Sequence, residues 1–218
     1  MITEKFNFRI IIALTLYLVS LFASNTLGLK IMPFIFGTHL SVAVFFFPFV
    51  FLTTDVIGQV YGQRLAKNFV WAGFISILVF LLYSIVSVIT PWSPDGMWAK
   101  EAYNTIFGIS FRMSIASLLA YVIAEYQDVL AFFFFKKKLN NKAFWLQSSL
   151  SNLWSQLLDT FIFMFVAFGG IYSFKTIVLM GIPWYLYKVI MGLFYTPLSY
   201  LGINLLKYEN KNNQNQNI

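Results

Sequence analysis

Three polar residues interrupt a long apolar run between Phe144 and Phe168. Asn152, Gln156 and Asp159 are spaced i, i+4 and i+7, which places them on one face of a helix. Two amides and a carboxylate offer hydrogen-bond donors and acceptors to a polar ligand. Such a face is costly in contact with lipid, so it must meet another helix or a bound solute. The spacing therefore predicts either a ligand-binding face or a seam of hydrogen bonds between helices.

A buried cation is expected at the same depth as Asp159. Lys188 lies in a later apolar run, on a stripe that also carries Trp184 and Tyr195. Lys188 and Asp159 are each about eleven residues, or roughly 16 Å of helix, from the same membrane boundary. The two side chains are predicted to form an ion pair. The pair either stabilises the fold or is bridged by a ligand.

Four more charged residues lie inside or at the ends of apolar runs, namely Asp55, Arg112, Glu125 and Asp128. An ionised side chain costs on the order of 3 kcal/mol at the centre of a membrane helix, so these residues are expected to serve a ligand, an ion or one another. Asp55 joins the candidate ligand-binding residues. Arg112 either reaches the membrane surface or pairs with a carboxylate, and Arg112 and Asp128 are candidates for an ion pair or a gate. Glu125 and Asp128 could instead meet the lysines at the basic end of their run.

The composition is that of a helical membrane protein. Hydrophobic residues make up 59% of the chain and charged residues 11%, against about 25% in soluble domains. Cysteine is absent and His39 is the single histidine, so we predict no disulfide, no catalytic residues, no metal site and no cofactor. The net charge of +7 is attributed to cytoplasmic loops, and no nucleic-acid partner is expected.

Six transmembrane helices are predicted, with both termini in the cytoplasm, in an all-α polytopic membrane protein. Loops on the N-terminal side of the membrane hold ten Lys and Arg residues and loops on the other side hold three, and such residues collect in the cytoplasm. One membrane domain is expected over residues 1–208, followed by a disordered Asn/Gln-rich tail over 209–218. The six predicted spans are Phe8–Ala23, Leu40–Gln59, Phe69–Ile89, Ile106–Phe135, Phe144–Phe168 and Thr176–Leu206.

Several short segments occur in a specific order along the chain: Ala23-Ser24-Asn25, Phe47-Pro48-Phe49 through Asp55, Tyr61-Gly62, Phe111-Arg112-Met113 through Ser117, Ser151-Asn152, Asp159-Thr160 and Tyr187-Lys188-Val189. In this order and spacing they resemble the queuosine precursor transporters, also called the vitamin uptake transporter family. The resemblance extends from the first predicted span to Leu206. It implies multi-pass insertion in the inner (cytoplasmic) membrane.

The resemblance also implies a cargo. Members of that family import 7-cyano-7-deazaguanine and 7-aminomethyl-7-deazaguanine, the bases used for queuosine in tRNA, and some import queuine. A carboxylate suits the N–H edge of such a base, an amide or ammonium suits its O6, and aromatic side chains such as Phe163 suit its flat ring. The residues expected to bind substrate are Asn25, Asp55, Asn152, Gln156, Asp159, Trp184, Lys188 and Tyr195.

Other functions are compatible with the same features. The main expectation is a solitary importer that works by alternating access in a lipid bilayer. The alternative is the substrate-binding component of a multisubunit vitamin or nucleobase uptake complex. A membrane enzyme is disfavoured because nucleophile and metal-ligand motifs are lacking, and a scaffold would leave the carboxylates near the membrane centre unexplained. A homo-oligomer is left open.

Overall fold

A computed structural model of the chain describes residues 8–33, 39–107, 111–140 and 143–215. Side chains are described in these ranges except at 29, 31, 39, 40, 44, 111–114 and 208–215. The described part contains one hairpin, in which β1 (Ile31–Pro33) pairs antiparallel with β2 (His39–Ser41), and short 3-10 helices at Leu27–Leu29, Val42–Phe45 and Pro94–Ala99. Its α-helices are α1 (Phe8–Thr26), α2 (Phe47–Tyr61), α3 (Gln63–Ile89), α4 (Lys100–Phe107), α5 (Phe111–Lys138), α6 (Phe144–Phe168) and α7 (Phe174–Asn215).

The structure confirms an all-α membrane protein and differs from the prediction in two spans. The predicted fourth span, Ile106–Phe135, begins inside α4, whereas the long apolar helix there is α5. The other difference is in the second span. Within the described residues, five helices are long and apolar enough to cross a membrane, namely α1, α3, α5, α6 and α7. The predicted second span, Leu40–Gln59, is instead a strand end, a 3-10 helix and the 15-residue helix α2. Pro48 explains the late start of α2, because proline lacks an N–H, disfavours helix before it and suits the first helical turn, where it lies.

The side chains are arranged inside out relative to a soluble protein. Large apolar residues point outward along α1, α3 and α7, and Tyr83, Ile89 and Phe194 are each at least 70% exposed. Polar residues of α2, α5 and α6 are buried instead, and Glu125 and Gln147 have no exposed surface. This distribution fits a protein whose surroundings are hydrocarbon and whose interior handles polar groups.

The core joins α1, α2, α3 and α5 around the buried side chains of Tyr17, Phe51, Ile57 and Phe132. A single residue, Gly62, separates α2 from α3. Its φ of +91° is a conformation that side chains other than glycine's rarely adopt, so a glycine is required for this reversal.

A contact between two tyrosines and the backbone of α3 holds that helix against the core. The hydroxyl groups of Tyr17 and Tyr121 are hydrogen-bonded to each other, and the Tyr121 hydroxyl donates to the carbonyl of Val70 at 3.1 Å. Gly73 leaves room for this pair, since a Cβ there would lie 3.0 Å from the Tyr17 ring.

Contacts between helix ends show which ends of the helices lie on the same side of the bundle. Arg9 near the start of α1 donates to the carbonyl of Leu205, in the last quarter of α7. Lys136, in the last turn of α5, donates to the Gln59 carbonyl near the end of α2 at 3.3 Å. Helix α7 continues to Asn215, and the assignment of 209–218 to a disordered tail stays a prediction.

Candidate functional site

A cavity of about 380 Å³ lies among α1, α2, α5, α6 and α7. Its volume is within the range of about 300–1,000 Å³ typical of small-molecule sites. Most of its wall is apolar, and a few polar groups reach it from different helices. Among the lining residues are Leu21, Ser24, Asn25, Phe47, Ser117, Ala120, Tyr121, Asp159, Thr160, Phe163, Met164, Phe168, Met180, Trp184, Tyr187 and Lys188.

The predicted ion pair is present and forms part of the cavity wall. Lys188 Nζ from α7 lies 2.5 Å from Asp159 Oδ2 of α6. The side chains are 21% and 9% exposed, so the pair is largely shielded yet reachable from the cavity. Lys188 Nζ also lies 5.0 Å from the centroid of the Phe47 ring, which adds a cation–π contact.

Two more polar side chains border the cavity, Asn25 of α1 and Thr160 of α6. Asn25 donates from Nδ2 to the Leu21 carbonyl at 2.9 Å, and its Oδ1 accepts from Ser117 Oγ at 3.1 Å. These bonds fix the orientation of the amide at the end of α1. Thr160 also lines the cavity, and its Oγ1 is buried without a hydrogen-bond partner in the described structure.

Aromatic rings surround the same space. Trp184, Phe163 and Phe47 line the cavity, as expected for a site that takes a flat ring. Tyr195 is outside it, because its ring packs against Phe49 of α2 with the centroids 5.0 Å apart. Tyr195 lies about two turns of α7 after Lys188, the last residue of that helix that lines the cavity.

The remaining candidate residues lie away from the cavity. Asn152 and Gln156 are buried on α6 but do not line it. Asp55 accepts a hydrogen bond from Ser148 Oγ, and Asp128 Oδ1 accepts from Ser155 Oγ at 2.8 Å. The side chain of Arg112 lies outside the described residues.

Among the described residues, Glu125 and Asp128 bond to hydroxyl groups of neighbouring helices and not to the lysines at the end of α5; Lys142 lies outside the described residues. Glu125 Oε1 accepts from Thr54 Oγ1 at 2.8 Å. Lys136 is occupied by main-chain carbonyls at the end of α2. The two acids are therefore internal groups of the helix bundle.

Thr160, Ser117 and Phe47 are cavity residues that were not among the candidates from the sequence. Hydroxyl residues in membrane helices usually bond to their own helix backbone, as Thr53 does to the Phe49 carbonyl, so the residue type carries no signal. Two signals were available: all three residues occur in the segments that resemble the family, and Thr160 directly follows Asp159.

These features define a class, a multi-pass helical membrane protein with an internal, mostly apolar cavity that a few polar groups reach. Comparison with known proteins then places the chain in a family. The family described as "Putative vitamin uptake transporter" matches residues 41–202, and the chain belongs to that family.

Named relatives agree with this assignment. The chain is 31% identical over 175 residues to the "Probable queuosine precursor transporter" of Bacillus subtilis (strain 168), covering 79% of this chain and 75% of that protein. It is 28% identical over 162 residues to the "Queuosine precursor transporter" of Escherichia coli (strain K12), covering 74% and 70%. It is 26% identical over 183 residues to the "Probable queuosine precursor transporter" of Haemophilus influenzae (strain ATCC 51907 / DSM 11121 / KW20 / Rd), covering 83% of this chain and 71% of that protein. No solved structure matches the chain.

Proposed function

We propose that this chain imports queuosine precursors across the inner membrane. The cargo is a 7-substituted deazaguanine, either 7-cyano-7-deazaguanine or 7-aminomethyl-7-deazaguanine, with queuine as a third candidate. The names of the relatives support the substrate class, and membership of a transporter family favours transport over catalysis. The chain acts as an importer by alternating access to the cavity.

The observation that carries this proposal is the Asp159–Lys188 pair at the cavity wall. In a guanine-like base, the O6 acceptor and the N1–H donor are neighbours on one edge, followed by the 2-amino group. In the ion pair, an ammonium donor and a carboxylate acceptor are neighbours at 2.5 Å. The base can therefore accept from Lys188 and donate to Asp159 while the two charges stay close together.

Other groups of the cavity suit the rest of such a base. The unpartnered hydroxyl of Thr160 lies one residue from Asp159 and supplies a further hydrogen bond. Trp184 and Phe163 offer flat faces, and stacking on an aromatic side chain is worth about 1–3 kcal/mol per base. An apolar wall with a few convergent polar groups is the usual form of a small-molecule site.

Six crossings with both termini in the cytoplasm are part of the proposal. The Arg9–Leu205 contact brings the start of α1 and the end of α7 to one side, which requires an even number of crossings. Helix α2 supplies the sixth, because Gly62 alone connects it to α3. At 1.5 Å per residue α2 is about 22 Å long, and the 3-10 helix before it adds about 8 Å, giving roughly the hydrocarbon thickness.

Uptake of a labelled base tests the proposal. Cells that neither make nor import deazaguanines should accumulate labelled 7-cyano-7-deazaguanine when they express this chain. Asp159→Asn should reduce that uptake at least tenfold at equal membrane abundance, because the carboxylate no longer accepts the N–H edge. The matched control is Asp95→Asn, which changes an exposed carboxylate in the α3–α4 connection and should leave uptake unchanged. Cells that express the wild-type chain and take up no more base than empty cells would contradict the proposal.

A further inference from the structure

Three buried carboxyl groups lie outside the residues that line the cavity. Asp55 on α2 and Glu125 and Asp128 on α5 are each at most 1% exposed. Each accepts one hydrogen bond from a serine or threonine hydroxyl on a neighbouring helix. The second oxygen of each group, Asp55 Oδ1, Glu125 Oε2 and Asp128 Oδ2, is buried without a hydrogen-bond donor.

No described lysine or arginine neutralises these acids. The one ion pair found among the described residues joins Lys188 to Asp159, and Lys136 donates to main-chain carbonyls. A buried carboxylate without a cation and with a vacant oxygen is strongly disfavoured. A bound proton removes both problems, since it cancels the charge and lets the vacant oxygen donate.

Two of the three acids, Asp55 and Asp128, are close enough to share a proton. Asp55 and Asp128 lie within hydrogen-bonding range of each other, and Asp128 is within electrostatic range of Glu125. Two ionised carboxylates have no hydrogen to donate, so a bond between them needs a proton on one. In the described residues no three His, Cys, Asp or Glu side chains gather at a point suited to a metal ion, which favours a proton over a divalent cation.

The acids communicate with the cavity through two helices. Glu125 lies one turn after Tyr121 on α5, and Tyr121 lines the cavity. Ser155, which donates to Asp128, lies one turn before Asp159 on α6. Besides one another, the titratable groups facing the three acids are Tyr17 from α1, Tyr121 from α5 and Asp159 from α6, which itself holds Lys188 of α7.

We propose that Asp55, Glu125 and Asp128 form a proton-binding site that couples import of the base to the proton gradient. A proton from the outer medium binds a carboxylate oxygen, crosses with the base and leaves to the cytoplasm, and no other bond is made or broken. Glu125 carries the coupling to the cavity, because it lies one turn after Tyr121, which lines the cavity. This inference rests on the proposed function, since it assumes that the cavity takes a base.

Transport by the purified full chain in liposomes tests the coupling. With 7-cyano-7-deazaguanine as the probe and an acidic exterior, the wild-type protein should accumulate the base above its external concentration. A protonophore should abolish accumulation, and replacing sodium by choline should have no effect. Accumulation that survives the protonophore, or that needs a sodium gradient, would overturn the proposal.

Two isosteric variants separate coupling from binding. Glu125→Gln and Asp128→Asn should retain exchange of labelled for unlabelled base at equal pH within about threefold of wild type. Their accumulation under the pH gradient should fall at least tenfold. Asp95→Asn is the matched control and should behave like wild type in both assays. The proposal is overturned if the two variants keep full accumulation, or if they lose exchange and accumulation in equal proportion.

Proton movement can also be measured directly on the wild-type protein, so the proposal can be tested even if the two variants do not fold. Addition of the base to liposomes that contain an entrapped pH dye should acidify the lumen. If the protein exchanges labelled for unlabelled base but the lumen is not acidified, transport is not coupled to protons. In that case the proposed import function still stands. A wild-type protein that exchanges no base contradicts the import function itself, and the coupling inference with it.

Discussion

Lys188 and Asp159 face each other across the α6–α7 interface, with Nζ and Oδ2 2.5 Å apart at the wall of the cavity. Each charge neutralises the other in a site that is only partly reachable by solvent. Two roles coincide in this contact, because it joins two helices and presents a donor beside an acceptor to the cavity. The stability and binding effects of the pair can be separated by experiment.

The pair should contribute to stability as a unit. Asp159→Leu leaves the Lys188 side chain, which is 21% exposed, without its partner, so the cost should be at the low end of the about 3–5 kcal/mol typical of breaking a buried pair. The double variant Asp159→Leu with Lys188→Met removes both charges and should recover most of that loss. Thermal unfolding of the detergent-solubilised protein measures both effects, with the exposed Lys175→Met as control. A double variant as unstable as Asp159→Leu alone would show that the two charges are not coupled.

Close packing of α3 gives a second prediction. Gly73→Val should destabilise the protein by about 1–3 kcal/mol, because the new side chain would collide with the Tyr17–Tyr121 pair. Gly192→Ala is the control, since a Cβ at Gly192 meets nothing within 4 Å and alanine favours helix. The melting temperature of Gly73→Val should fall. The melting temperature of Gly192→Ala should rise or stay unchanged. An unaltered melting temperature for Gly73→Val would rule out the packing described for α3.

The face of α6 was predictable from sequence, and what covers it was not. The spacing of Asn152, Gln156 and Asp159 indicated one buried stripe, and all three are buried. Only Asp159 reaches the cavity, because the earlier turns of α6 pack against other helices and its later turns, from Asp159 to Phe168, line the opening. Periodicity reports which side of a helix avoids lipid, and the identity of the covering helix depends on tertiary packing.

Hydropathy was least informative for the second span and for the α7 stripe. The apolar run around Pro48 does not reveal where the helix begins, since the residues of the 3-10 helix and those of the first turns of α2 are all apolar. Tyr195 shares a stripe with Trp184, yet Phe49 of α2 covers it. The depth argument for Lys188 and Asp159 succeeded because both positions were counted from the same membrane boundary.

Recognition of the base edge gives a third prediction. Removing the 2-amino group from the deazaguanine should weaken binding to the purified protein by about 1–3 kcal/mol, because Asp159 then loses a donor and keeps an unpaired oxygen. Competition against a labelled base measures the difference. An analogue altered only in the 7-substituent is the control, and it shows whether the loss of affinity is specific to the edge of the base that faces Asp159. Equal affinities with and without the 2-amino group would remove Asp159 from the recognition of that edge.

The topology gives a fourth prediction. Reporter fusions after Lys142 and after Lys211 should both give cytoplasmic signals, since six crossings place the α5–α6 connection and the C-terminus on the same side as Arg9. A fusion after Pro94, in the α3–α4 connection, should give the opposite signal. A periplasmic signal at Lys142 or Lys211 would contradict the six-crossing arrangement.

Binding of 7-cyano-7-deazaguanine to the purified protein tests the central claim most directly, namely that the Asp159–Lys188 pair is the recognition site for the base. The wild-type protein should bind saturably, and Lys175→Met should bind equally well. The Asp159→Leu with Lys188→Met double variant, which keeps a neutral and packed pair of side chains, should fold and yet bind at least tenfold more weakly. Wild-type affinity in a folded double variant would contradict the account.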